Sequence, residues 1–184
     1  MSKRVLVAGV GNIFLGDDGF GVEVVKRLAG RELPEGVEVK DFGIRGMDLA
    51  YALQDDYELV VFVDATPRGE KPGTVYLIEP EIEDDGEVAL DTHGMNPARV
   101  IKLARTMGAR PTRTLVVGCE PQLVVSGEDY DEMLMELSDP VRAAVEEAVE
   151  MVVSLVEKKI SEEGDKVWPE NRAFPWRGGE SVWR

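Results

Sequence analysis

The chain has 184 residues, room for one domain and a short appendage. Its 21 Lys and Arg against 36 Asp and Glu leave a net charge of −15, which excludes the basic face needed to bind nucleic acid or an anionic membrane surface. Hydrophobic residues make up 43%, enough for a packed core, and the single cysteine, Cys119, excludes an internal disulfide, so the expected compartment is the reducing cytoplasm.

Val5 to Val10 is a short apolar run ended by glycine, the pattern of a buried strand. Gly9 and Gly11 break it and no small-residue cleavage site follows, so it is not read as a signal peptide. Nor is any apolar stretch long enough to span a bilayer. From Gly19 to Ala29 the apolar residues fall at helical spacing. Val37 to Phe42 alternates and predicts a strand with one face less buried, and Met47 to Leu53 predicts a short helix. Leu59 to Val63 is continuously apolar, as a central parallel strand covered on both faces should be. Thr74 to Ile78 predicts another strand after the turn Lys71-Pro72-Gly73.

Asn96-Pro97 is a cap followed by Pro at the first helical position, and Gly108 closes that helix. Thr114 to Val117 predicts a fifth strand. Asp139-Pro140 opens a helix with an apolar stripe from Val141 to Val156, with Lys158 and Lys159 in its last turn. Strands alternating with helices predict an α/β domain over residues 1–160, a mostly parallel sheet between two helical layers. A tail over 161–184 holds Trp168, Trp176 and Trp183 and is expected to pack on the body or to dock a partner.

The loop Gly11-Asn12-Ile13-Phe14-Leu15-Gly16-Asp17-Asp18-Gly19 follows the first strand. Phe14 stands where a dinucleotide loop needs its third glycine, and Asp17 stands where a phosphate loop needs lysine. Two adjacent carboxylates repel phosphate, so the loop suits a cation or a carbonyl group. One Asp serves as a helix cap; the second is then unexplained.

Asp64 follows the apolar run of the third strand, at the sheet edge where open parallel sheets bind ligands. If the first strand lies beside the third, Asp64 and the Asp18 loop are neighbours. His93 is the only histidine, flanked by Gly94 and near Asp91, which could orient the imidazole. Two carboxylates and an imidazole make a three-ligand set with an open coordination position. Nucleophilic alternatives are weak. Cys119 ends an apolar strand beside Glu120, and no serine sits in a G-x-S-x-G turn.

The segments GVGNIFLGDDGFGVEVV, DFGIRGMDL, VVFVDA, HGMNPARVIKLA and VVGCEP, in this order over residues 4 to 156, resemble the [NiFe]-hydrogenase maturation endopeptidases. The resemblance implies a three-layer α/β/α sandwich with a five-stranded, mostly parallel mixed sheet. It also implies removal of a C-terminal extension from the hydrogenase large-subunit precursor once nickel has been inserted. By position it assigns metal contact to Asp18, Asp64 and His93. Asp17 and Gly16 complete the family's G-D-[DE] signature, and Asp41, Gly43 and Gly46 match a motif that borders the substrate cleft.

The activity so implied is that of an endopeptidase, aspartyl-type or metal-assisted, for which nickel is part of the substrate rather than a resident cofactor. Asp18, Asp64 and His93 are expected to reach the precursor's nickel, with Asp18 or Asp17 as the first candidate for the base that activates water. The alternative is a non-proteolytic, metal-dependent chaperone for the same precursor. A nucleotide or phosphate binder is the third reading, disfavoured by Asp17-Asp18.

Overall fold

The structure, a computed structural model, describes residues 4–80, 96–110, 112–124 and 134–161. Strands β1 (Val5–Val10), β2 (Val37–Gly43), β3 (Leu59–Ala65), β4 (Val75–Ile78) and β5 (Arg113–Cys119) form one sheet in the order β2-β1-β3-β5-β4. All neighbours pair in parallel except β4, which runs antiparallel to β5 at the outer edge. Parallel neighbours need crossovers, and helices α1 (Phe20–Leu28), α2 (Gly46–Ala52) and α3 (Pro97–Thr106) lie along the connections, while α4 (Asp139–Ser161) follows the last strand.

Alternation along the strands fills two cores. Val5, Val7, Val61, Val63, Leu115 and Val117 face α1 and α4, which contribute Phe20, Val24, Leu28, Val145, Ala148 and Val152. Leu6, Ala8, Val10, Val60, Phe62 and Val116 face α2 and α3, which contribute Leu49, Ala50, Val100, Ile101 and Ala104. The sheet is therefore a middle layer covered on both faces, the mixed three-layer sandwich expected. Each such aliphatic side chain removed from water contributes about 1.5–3 kcal/mol before entropy is subtracted.

Most element ends fall within a residue of the expected ones, and the differences at β3, β5 and α1 have a local reason. β3 and β5 run past their apolar cores because the ladder continues through Asp64 opposite Gly118 and Ala65 opposite Cys119. Asp64 thus lies inside the strand's last residues rather than beyond them. Gly16–Gly19 forms a 3-10 turn, so α1 starts at Phe20. The tail beyond residue 161 lies outside the described residues, and no described helix is long and apolar enough to cross a membrane.

The strand order turns around at β1: β2 lies on one side of it and β3 on the other. That switch point opens a crevice at the carboxyl ends of β1 and β3. α1 enters it tightly. A Cβ at Gly21 would stand 2.0 Å from the Val63 carbonyl oxygen and 2.4 Å from that of Val10. Backbone cannot yield as a side-chain tip can, so Gly21→Ala is expected to destabilise the fold by about 3 kcal/mol, measured as a lowered denaturation midpoint at unchanged m-value.

α2 follows β2 from this carboxyl edge, and α3 packs beside it. Gln54 Nε2 donates to the carbonyl oxygens of Ala50 and Ala104, at 3.1 Å each, and so ties their far ends together. Asn96 caps the start of α3 through Oδ1, which accepts from Ala98 N at 2.8 Å.

Candidate active site

The glycine loop is shaped by backbone contact. Gly11 has φ +125°, and a Cβ there would lie 1.8 Å from the Asp18 carbonyl oxygen. Its N–H donates to the carbonyl of Gly43 at 3.0 Å, and Gly43 itself has φ +53°. The loop after β1 and the loop after β2 are thereby joined. Asn12 N then donates to Asp18 Oδ2 at 2.6 Å, and Asn12 Oδ1 accepts from Phe14 N at 3.0 Å.

Asp18 is half-buried, and burial pushes its carboxyl up against the opposing pull of the Asn12 bond. Asp64 is 6% exposed. Loss of solvent drives its carboxyl well above the ordinary value, the negative charge of Asp18 adds to this, and the Ala65 N–H opposes it. Asp64 follows Val63, which pairs with Gly9 of β1, so it sits one strand spacing from the start of the glycine loop. The neighbourhood expected of Asp18 and Asp64 is therefore present. Both carboxylates are desolvated beyond what their hydrogen bonds offset, and such groups favour a proton or a cation.

Asp17 has a different setting, although it is adjacent in the chain. It is fully buried, and its carboxylate accepts from Gln122 N (2.8 Å), Leu123 N (3.0 Å), Ser138 N (2.7 Å) and Ser138 Oγ (2.9 Å). It cross-braces three loops and, fully buried behind these four donors, is shielded from bulk solvent. The first candidate for the base is thus Asp18 alone. Asp17 lies toward the core that holds Cys119, since its charge acts on that thiol, whereas the charge of Asp18 acts on Asp64.

Glu120 was passed over in the sequence except as a neighbour of Cys119. It is 5% exposed and accepts from Arg68 N (2.8 Å), Gly69 N (3.1 Å) and Tyr76 Oη (2.6 Å). With the Thr66 N to Cys119 O bond at 2.8 Å it fixes the loop that leaves Asp64. A charged residue directly after an apolar strand run, the signal used for Asp64, would also have singled out Glu120. Cys119 is fully buried in the core, and its thiol is pushed up to about 12 by burial first, then by Asp17 and Glu120. It is no nucleophile.

Of the remaining candidates, Asp41 is exposed in β2 opposite Gly9, and Gly46 opens α2. Arg45 turns its guanidinium back onto the carbonyls of Phe42 and Asp41. His93 and Asp91 lie outside the described residues. Among the described residues no three His, Cys, Asp or Glu side chains form a metal-holding group.

A doubly covered sheet with paired acids in its switch-point crevice belongs to a known class, and the chain is a member of the hydrogenase maturation protease family, which residues 22–155 match. It is accordingly a hydrolase, a protease of hydrogenase maturation. It is 31% identical over 157 residues to the hydrogenase 2 maturation protease of Escherichia coli, covering 82% of this chain and 89% of that protein. It is similar to the solved hydrogenase maturating endopeptidase HybD of E. coli, with a TM-score of 0.66, 31% identity and coverage of 85% of this chain and 93% of that one. It is also similar to the hydrogenase 2 maturation peptidase of a Thaumarchaeota archaeon, with a TM-score of 0.60, 32% identity and coverage of 84% and 99%.

Proposed function

We propose that the protein removes the C-terminal extension of a [NiFe]-hydrogenase large-subunit precursor after nickel insertion, and that the precursor's nickel is what it recognises. The observation that carries this reading is the pair Asp18 and Asp64, two desolvated acids with few donors at the mouth of the switch-point crevice. Held in this state they gain most from a cation brought in by the substrate. His93 is the third proposed contact. It precedes Asn96, the cap of α3, by three residues.

In this mechanism the nickel belongs to the precursor and positions the scissile peptide in the crevice. Asp18, at the open side of the loop, takes the proton of the attacking water while the peptide carbonyl is polarised. Asp17 and Glu120 hold the loops that carry the reacting acids. The cytoplasm is the compartment proposed for the reaction, consistent with one buried thiol.

The test is cleavage of purified precursor with and without nickel, read by intact mass. The nickel-loaded precursor should shorten and the nickel-free one should not. Asp18→Asn should slow the cut by about 10²–10⁴-fold. Binding of loaded precursor without any loss of mass would instead support the chaperone reading. Equal cleavage of both precursors would remove nickel from the mechanism.

A further inference from the structure

The chain that leaves Asp64 is folded back over the end of β5. Thr66 N donates to the Cys119 carbonyl at 2.8 Å, and the Glu120 carboxylate accepts from Arg68 N at 2.8 Å and from Gly69 N at 3.1 Å. Gly118, which pairs with Asp64 in the ladder, makes room for this fold. A Cβ there would stand 2.6 Å from Thr66 Oγ1 and 2.9 Å from Thr66 Cβ. Glu120 is itself held, since its N–H donates to the Thr74 carbonyl and its carbonyl accepts from Gly73 N, both at 2.8 Å. Just beyond it in the chain, Gln122 N and Leu123 N donate to Asp17, the residue before Asp18.

The stretch from Gly118 to Leu123 is thus bonded at one end to the loop that leaves Asp64 and at the other to the loop that carries Asp18. The ladder between β1 and β3 ends at Gly9 and Val63, one residue short of Asp64, so it does not by itself set the gap between the two acids. We propose that residues 118–123 are a bridge that sets this gap, with Glu120 as a positioning residue that acts on Asp64 through the amides of Arg68 and Gly69. The inference rests on the protease reading above and adds what fixes the two acids relative to each other. A buried charge is a costly way to fill a core, and an apolar side chain of similar size would pack there without that cost. Its two oxygens are instead matched to two successive N–H groups of the Asp64 loop. Misplacing a reacting group by about 1 Å costs as much as about 10²-fold in rate.

Three full-length variants test the bridge. Glu120→Gln has nearly the same shape, but its NH2 replaces one carboxylate oxygen. Oε2 faces Arg68 N–H and Oε1 faces Gly69 N–H, so in either orientation one of the two amides loses its acceptor. Gly118→Ala pushes on Thr66 with Glu120 intact. Tyr76→Phe removes a different donor from the same carboxylate, Tyr76 Oη at 2.6 Å, and leaves both loop amides bonded. Steady-state cleavage of nickel-loaded precursor and thermal melting are measured on each. Glu120→Gln and Gly118→Ala should lower kcat by about 10–10²-fold, with KM within about twofold. Tyr76→Phe should melt lower than the wild type yet keep kcat within about twofold. Unchanged kcat in Glu120→Gln, with the wild type cutting normally, would overturn the bridge and leave the protease reading intact. So would a loss of kcat in Tyr76→Phe equal to that in Glu120→Gln, which would reduce Glu120 to a source of stability. If Glu120→Gln does not fold, Gly118→Ala decides, and full kcat in that variant overturns the proposal. Failure of both to fold would make these contacts scaffold alone and overturn it too. A wild type that cuts no precursor would count against the protease reading and take the bridge with it.

Discussion

Asp64→Asn is expected to abolish precursor cleavage and to raise the melting temperature. The two effects have one cause. The carboxyl is 6% exposed, burial raises it well above its ordinary value of 3.8, and the nearby Asp18 charge raises it further. A group whose folded-state value is raised stabilises the fold below its unfolded value, where it is protonated in both states. That contribution is lost as pH climbs from 3.8 through the folded value, because the unfolded chain releases the proton first. At neutral pH the ionisable acid is thus a burden on the fold, and the neutral amide, of nearly the same shape, relieves it. Relief of this kind at an active site is commonly about 0.5–2 kcal/mol, with roughly 2–4 °C in Tm per kcal/mol for a chain of this size. Cleavage should fall by about 10²–10⁴-fold, since an amide neither takes a proton nor neutralises a cation. Melting curves at several pH values check the first half: the advantage of the variant should grow as pH rises above 3.8. A variant that melts lower than the wild type at neutral pH would refute the idea that the Asp64 charge burdens the fold.

Asp17→Ala is expected to act in the opposite direction, as the most damaging single change in the site. Its carboxylate accepts three backbone N–H groups and one hydroxyl, all between 2.7 and 3.0 Å. Removing a buried acceptor strands its donors, and each stranded donor costs about 1–3 kcal/mol unless water reaches it. Allowing for partial relaxation, a loss of about 3–5 kcal/mol is expected, a large share of a typical total stability of about 5–15 kcal/mol. Ser138→Ala deletes one donor and keeps the acceptor, so it should cost only about 1 kcal/mol. Denaturant titrations of the two variants measure the contrast. Equal losses would show that the hydroxyl, rather than the carboxylate, holds the three loops together.

Much of this was readable from the residues. The continuous apolar run 59–63 announced a strand buried on both faces, and β3 is that strand. Asn96-Pro97 and Asp139-Pro140 announced the starts of α3 and α4, because a cap and a first-turn proline act locally. The meeting of Asp18 with Asp64 depended on β1 lying next to β3, a topological fact that spacing can suggest but not fix. What stayed hidden was the difference between Asp17 and Asp18. Two identical side chains in sequence look interchangeable, and only the return of residues 122, 123 and 138, more than a hundred positions away, assigns one of them to the scaffold. Glu120 could be flagged as an acid after an apolar strand, but not its bonds, because its partners at 68, 69 and 76 lie between β3 and β4, far away in the chain.

The enclosure of Asp17 beside the open flank of Asp18 has a consequence for which acids the motif can accept. A longer glutamate in the first place would push its head group into donors already set at ordinary bond lengths, with solid packing behind them. In the second place the half-buried carboxylate accepts one bond, from Asn12 N, so an extra methylene has fewer partners to displace. A G-D-[DE] signature, strict in one letter and permissive in the next, is what this difference in enclosure across one peptide unit predicts.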